Sequence, residues 1–305
     1  MKQMKIIFSL MLLQISLCFV SCQYYSYGLD EVFYRDNSIR NRSGHIQNFN
    51  ELFTDSLSDV KRTLVNSGDY EVLVFTDVHF GGENQGKNKR RYEEDLRVWL
   101  RGAYADPSKP SKLAFCICLG DVAEHGIDSE FEDYVSFTDS LKTEFDLVTF
   151  NVVGNHDLYN AGWKGYKKMC FPYTSFYKFR TKNMTFYFLD SASGSLGDEQ
   201  LMSFKRDMEY TEDGRKKVVF THVPAYAGGH FYFVMQNTIE RNKLISFCAK
   251  NDVVSFVCGH THKEITSDIG FKEYNLPGFL EDHGFGILSV DEEAGIAKSR
   301  CIYLD

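Results

Sequence analysis

Val72-Leu73-Val74-Phe75-Thr76-Asp77-Val78-His79 is a run of strand-forming residues that stops on a carboxylate and an imidazole. The same construction recurs four times. Residues 113–119 lead into Gly120-Asp121, residues 147–153 into Gly154-Asn155-His156-Asp157, residues 217–221 into His222, and residues 253–258 into Gly259-His260-Thr261-His262. Gathering carboxylates, imidazoles and a carboxamide at the ends of several strands is how an α/β sheet builds a metal site at its edge.

The spacing within these blocks carries further meaning. Asp77 and His79 are two positions apart, which on a pleated strand puts both side chains on one face, and His260 and His262 repeat the arrangement. Asp121, Asn155 and His222 stand where their strands give way to loops and can converge on the same edge. Gly120, Gly154 and Gly259 let the backbone turn sharply and come close to the site. Seven candidate ligands are too many for one tetrahedral ion and suit two ions that share a carboxylate. Imidazole and oxygen donors without a thiolate pair suit Mn, Fe, Zn or Ni and leave the choice among them open. Two divalent ions bring about +4, Asp77 and Asp121 remove about 2, and a bridging hydroxide leaves about +1, a charge that attracts and polarises phosphate.

Working outward, residues 50–65, 92–103, 130–143, 198–210 and 239–250 have the apolar spacing of helices. Residues 174–180 and 184–190 form a strand pair joined by Thr181-Lys182-Asn183, and residues 285–290 with 296–303 close the chain as a hairpin. From residue 70 onward the chain reads as one mixed α/β domain with helices covering a sheet.

The five blocks in this order resemble the calcineurin-like metallophosphoesterase superfamily, over roughly residue 70 to the C-terminus. That resemblance implies a four-layer α/β/β/α sandwich of two mixed sheets flanked by helices. It implies that Asp77, His79 and His262 hold one metal ion, that Asn155, His222 and His260 hold a second, and that Asp121 bridges them. The implied reaction is hydrolysis of a phosphate monoester or diester by direct attack of a metal-bridging hydroxide, with His156 as general acid. Glu124, three positions after Asp121, is expected to orient His156. His125 stands where relatives often carry a phosphate-binding Arg, which makes that contact pH-sensitive or absent. Asp157 is expected to support its turn. A tyrosine ligand of the purple-acid type is not expected, because Glu124 occupies that position. Asp190-Ser191 and residues 197–201 resemble a stretch that shapes the domain in related branches.

The chain has 305 residues, a formal net charge of -8, 26 Phe and 18 Tyr. This acidity argues against a nucleic-acid polymer as the main partner, and the aromatic richness points first to a Phe-rich core. Lys2 and Lys5 precede an apolar run over residues 6–20, too short for a comfortable membrane span, so residues 1–22 read as a targeting segment. Phe19-Val20-Ser21-Cys22 looks like a bacterial lipoprotein box, with Phe19 in place of the usual Leu. Lipidation at Cys22 in the cell envelope is the first reading, ordinary secretory cleavage and an uncleaved anchor the others. Residues 23–69 read as a tether leading into the first elements of the domain. Export makes disulfides possible; of the remaining cysteines, Cys116 and Cys118 share one face of a strand and are poorly placed to bond each other, and no particular bridge is assigned.

Residues 81–91, 158–175 and 225–233 are candidate rim loops for the substrate, although surface insertion and core packing explain them as well. His45, His230 and His283 read as noncatalytic, and two Asn-x-Ser/Thr sequons begin at Asn41 and Asn183. The first functional reading is an exported phosphoesterase. The alternative is a surface lipoprotein that uses the fold for binding.

Overall fold

The computed structural model describes residues 39, 42, 50–51, 57–82, 92–106, 108, 110–210 and 214–304. The targeting segment with Cys22, His45 and most of the rim loop at 81–91 lie outside the described residues.

Strands and helices alternate along the chain. Strands β1 (Asn50–Glu51), β5 (Tyr177–Arg180), β6 (Met184–Phe188), β7 (Lys216–Phe220), β8 (Val253–Cys258), β10 (Lys272–Asn275) and β9 (Ile265–Asp268) form one sheet in that order. Strands β12 (Ile296–Tyr303), β11 (Gly284–Asp291), β2 (Asp69–Phe75), β3 (Leu113–Cys118) and β4 (Thr149–Asn151) form the other. Both are mixed. β2, β3 and β4 run parallel while β11 and β12 are antiparallel, and β6, β7, β8 and β10 run parallel between antiparallel β5 and β9.

Period-two alternation distributes each strand between two cores. On β2, Val72 and Val74 point between the sheets with Phe115, Ile117, Phe186 and Phe220, while Leu73 and Phe75 face the helices. Helices α2 (Glu93–Ala103), α3 (Asp128–Phe145) and α4 (Trp163–Met169) cover that outer face through Leu96, Leu100, Phe131, Tyr134 and Tyr166. Helices α5 (Gly197–Tyr210) and α6 (Thr238–Lys250) cover the other sheet through Leu201, Phe204, Leu244 and Cys248. The result is the four-layer α/β/β/α sandwich. Strands buried on both faces read as continuous apolar runs, which is why the sequence marked them so clearly. Phe rings stack between the sheets, with Phe188 and Phe220 centroids 4.9 Å apart and Phe179 and Phe186 5.0 Å apart. The cysteines at 116, 118, 170, 248 and 258 are buried thiols, and Cys116 and Cys118 do share the helix-facing side of β3.

Three expectations are corrected. Residues 50–65 are not one helix: Asn50–Glu51 pairs with β5, and helix α1 (Asp59–Ser67) begins only at Asp59. Ser58 stops it from starting earlier, because its backbone is extended and its side chain accepts the Lys61 N–H as an N-cap. Residues 147–153 and 174–180 contain only the short strands β4 and β5, their flanks being loop. Strands β9 and β10 were not anticipated. β10 carries Lys272, Glu273 and Asn275, and its place is set by pairing with β8 rather than by its own pattern.

Among the described residues, a buried ion pair also ties the N-terminal segment to the domain. The Arg42 guanidinium donates to both oxygens of Asp190, at 2.7 and 2.8 Å, and to Ser193 Oγ at 3.0 Å. Neither side chain of the Arg42–Asp190 pair is exposed.

Candidate metal centre

The parallel strands β2, β3, β7 and β8 deliver the polar blocks to one edge of the molecule. Just past their ends the backbone leaves the pleat: Asp77, His79, Asp121, His260 and His262 all have positive φ, between 47 and 67°. This left-handed conformation is uncommon for side chains with a Cβ and collects at functional sites. Asp77 and His79 therefore come together through two left-handed residues, not through strand pleating. His260 and His262, expected to share a face, point to different places.

Two ligand groups result, with one ligand atom from each member lying within 4.8 Å of the others: Asp77 with His79 and His262, and Asp121 with His222 and His260. Asp121 also groups with His79 and His156, so it stands between the two clusters. Asn155 joins the second, its Oδ1 lying 2.9 Å from His222 Nε2.

Each carboxylate is held by one oxygen and presents the other. Asp77 Oδ2 accepts from Thr76 Oγ1 at 2.7 Å and from the His260 N–H at 3.0 Å. Its Oδ1 is buried without an aligned hydrogen bond and faces Nε2 of His262 at 3.1 Å and of His79 at 3.9 Å. Asp121 Oδ1 accepts the His156 N–H at 2.8 Å, while Oδ2 faces Nε2 of His222 at 3.3 Å and of His79 at 3.9 Å.

The imidazoles are oriented from behind. His222 Nδ1 donates to Leu119 O at 2.9 Å, His79 Nδ1 lies 2.8 Å from Glu124 Oε2, and His262 Nδ1 lies 2.9 Å from Glu281 Oε2. The Leu119 carbonyl fixes the His222 tautomer that leaves Nε2 for a metal, while the Glu124 and Glu281 carboxylates stand in charge contact behind His79 and His262, the Glu124 contact without an aligned hydrogen bond to His79 Nδ1. Inward Nε2 atoms meeting inward carboxylate oxygens, in a buried space, are a donor set that fits divalent cations. The opposed charges of these side chains also shift one another's titration. Burial alone would lower the His222 pKa, but Asp121 and Asp77 outweigh it and hold the ring at about 9. His262 is likewise lowered by burial and raised further by Asp77 and Glu281, to about 10. Burial would raise Asp77 and Asp121, but the surrounding imidazoles hold both far below the usual carboxylate range.

The glycines act by close approach. A Cβ on Gly154 would lie 2.1 Å from Asp121 N and 2.2 Å from its Oδ1, so only glycine lets this turn pass the shared carboxylate. Asp157 supports the same turn: fully buried, it accepts N–H groups of Val122, Ala123 and Gly154 at 2.9, 3.0 and 2.8 Å. Burial, then Asp121, pushes its pKa up to about 7.

Glu124 and His125 are placed differently from expectation. His156 Nδ1 is held by the main-chain oxygen of Glu124, at 2.9 Å, whereas the Glu124 carboxylate turns to His79 and stays 3.7 Å from His156. The left-handed backbone at His79 presents Nδ1 outward, and that nitrogen is the nearer partner. His125 Nδ1 lies 2.7 Å from Glu130 Oε1, and its side chain is 58% exposed. The ring is thus tied to α3 and belongs to neither ligand group.

Two functional residues had no sequence signal. Glu281, in the short helix α7 (Phe279–Asp282), backs His262. Glu273 on β10 is buried and accepts N–H groups of Ala225, Tyr226 and Ala227 at 2.9, 2.9 and 2.6 Å, fixing the turn that follows His222. Beyond that turn Phe231, Tyr232 and Phe233 are exposed. In residues 158–175, Trp163 and Tyr166 are core side chains and only Tyr159 and Tyr173 among the aromatics are exposed.

A family model for calcineurin-like phosphoesterases matches residues 70–264. It starts at β2, as the blocks implied, and ends before β10, β11 and β12. No curated protein matches the chain in sequence. Among solved structures, a dimetal phosphatase from Danio rerio is similar with a TM-score of 0.59 and 14% identity, over 77% of this chain and 99% of that one. A purple acid phosphatase from yellow lupin seeds is similar with a TM-score of 0.53 and 14% identity, over 77% of this chain and 54% of that one. At such identity these two likenesses speak for the fold, while the family match covers most of the chain and every one of the five blocks. The chain belongs to the calcineurin-like phosphoesterases, metal-dependent hydrolases of phosphoric esters.

Proposed function

We propose that the protein hydrolyses a phosphate monoester or diester at a centre of two divalent ions, one held by Asp77, His79 and His262 and the other by Asn155, His222 and His260, with Asp121 shared. The observation that carries this reading is the placement of Asp121, one oxygen tied to the His156 N–H and the other turned between His79 and His222. When bound, the ions supply Lewis acidity toward the phosphoryl oxygens and make water acidic enough to attack phosphorus near neutral pH.

The chain's own groups do the rest. His156 has Nδ1 committed to a carbonyl oxygen, which accepts only, so Nε2 is the nitrogen left to face the substrate, and as an imidazolium the ring would give its Nε2 proton to the departing alkoxide and return to the neutral form. Its side chain is 26% exposed, which leaves it open to a substrate, and its ring lies 4.7 Å from that of His79, centroid to centroid. Asp157 and Gly154 keep the 154–157 turn against Asp121, which fixes the position of His156 relative to that carboxylate. Glu273 fixes the turn that follows His222, and the exposed rings at 231–233 beyond it are the candidate wall for a leaving group. We further propose, from residues 1–22 alone, that the protein is exported and lipid-anchored at Cys22. Among the described residues no helix is long and apolar enough to cross a membrane.

The test is metal analysis together with hydrolysis of an aryl phosphate monoester and an aryl diester, after reconstitution with Mn, Fe, Zn or Ni. The reading requires turnover that is lost on chelation and restored by metal. Two bound ions without turnover of either ester class would favour a binding role instead. Loading should also release protons. Free of metal at pH 7.5, His222 and His262 are protonated because their pKa values stand at about 9 and 10, and a ligating imidazole must be neutral. Calorimetry in buffers of different ionisation enthalpy should register net proton release on loading, and apparent affinity should fall as pH drops. Affinity independent of pH between 6 and 8 would contradict this.

A further inference from the structure

The two ligand groups differ in what stands behind them. In the first, His79 Nδ1 lies 2.8 Å from the Glu124 carboxylate and His262 Nδ1 lies 2.9 Å from the Glu281 carboxylate. Asp77 is a third carboxylate, and it belongs to that group alone. In the second, His222 Nδ1 meets a neutral carbonyl, Leu119 O at 2.9 Å, and Asn155 is a neutral donor. The His260 imidazole makes no hydrogen bond among the described residues. Apart from the shared Asp121, the first group thus carries three carboxylates and the second none.

A carboxylate behind a metal-bound imidazole raises its basicity as a ligand and holds the ring in place, and losing such a partner commonly costs about 10- to 100-fold in metal affinity. A carboxylate in the coordination sphere adds a direct charge attraction that Asn does not. We propose that Glu124 and Glu281 are positioning residues that make the two ion sites unequal. The site of Asp77, His79 and His262 is a tight, resident one. The site of Asn155, His222 and His260 is weak and exchangeable, filled only as the ion supply rises. The enzyme would then hold one ion at low metal concentration and become fully competent when the second arrives, so that ambient divalent cation sets the active fraction.

This inference rests on the two-ion reading above. Its test is competition of the metal-free full chain against a chromogenic chelator with Mn or Zn, for the native protein, Glu124→Gln, Glu281→Gln and the double variant. Folding of each metal-free variant is checked by circular dichroism. The native chain should show two steps at least about 10-fold apart in dissociation constant. Each Gln variant should weaken the tight step by about 10-fold or more and leave the weak step within about 3-fold, and the double variant should merge the two. Two equal steps in the native chain, or Gln variants that leave the tight step unchanged, would overturn the inference while leaving the two-ion reading intact. Binding of fewer than two ions at saturation would overturn both.

Discussion

His156→Ala lowers kcat by about 10²- to 10⁴-fold while the metal content stays as in the native protein. The argument rests on what the side chain touches and what it does not. Its N–H to Asp121 comes from the main chain and survives the substitution. Its ring reaches the Glu124 carbonyl on one side and the exposed edge of the site on the other. The Asp77, His79, His262 and Asp121, His222, His260 groups are complete without it. The effect should depend on the leaving group. An alkyl ester, whose alkoxide needs a proton, should suffer near the upper end of the range. A nitrophenyl ester, whose phenolate leaves unaided, should suffer near the lower end. KM should move little, since the proton is given in the transition state. A metal-replete variant with native kcat on an alkyl ester would remove His156 from the chemistry.

Arg42→Ala destabilises the domain by about 3–5 kcal/mol, the usual cost of stranding one partner of a buried ion pair. The pair joins a residue from the N-terminal segment to the end of β6, with neither side chain exposed. Removing the guanidinium leaves the buried Asp190 carboxylate without its two shortest hydrogen bonds, only the longer one from the Ala192 N–H remaining among those of the described residues. The loss should reach the metal edge as well. Ser191, next in the chain, accepts the Val223 N–H at 2.8 Å, immediately after His222. Urea unfolding should show a lower midpoint at unchanged slope. Replacing both partners by apolar residues, Arg42→Met with Asp190→Leu, should recover much of the loss, because no buried charge is then stranded. A loss under about 1 kcal/mol for Arg42→Ala would mean that water or another group takes over the carboxylate.

The seven proposed ligands were legible because each signal is local. A doubly buried strand has to be apolar, so the first carboxylate or imidazole after it stands out, and the glycine beside it marks a close approach. The sheet order and the split into three cores followed from the same runs only once the fold supplied two sheets for their two faces. Grouping was less legible. Asp77 and His79 do come together, but by left-handed backbone rather than pleating, and the same backbone sends His260 and His262 to different groups. A period-two argument cannot see a φ that the strand end reverses.

Everything that backs the ligands came from tertiary structure. The Glu124 carboxylate stands behind His79, and it is the main-chain oxygen of Glu124 that holds His156. Glu281, Glu273 and the Arg42–Asp190 pair carry no periodicity and no motif, since their partners are distant in the chain and meet only through sheet pairing and loop closure. The amino-acid sequence by itself marked the candidate ligands at the ends of apolar runs, because composition at a strand end is a property of consecutive residues. Only the folded chain decided which imidazole each carboxylate supports, because that depends on distances between segments that no local pattern records.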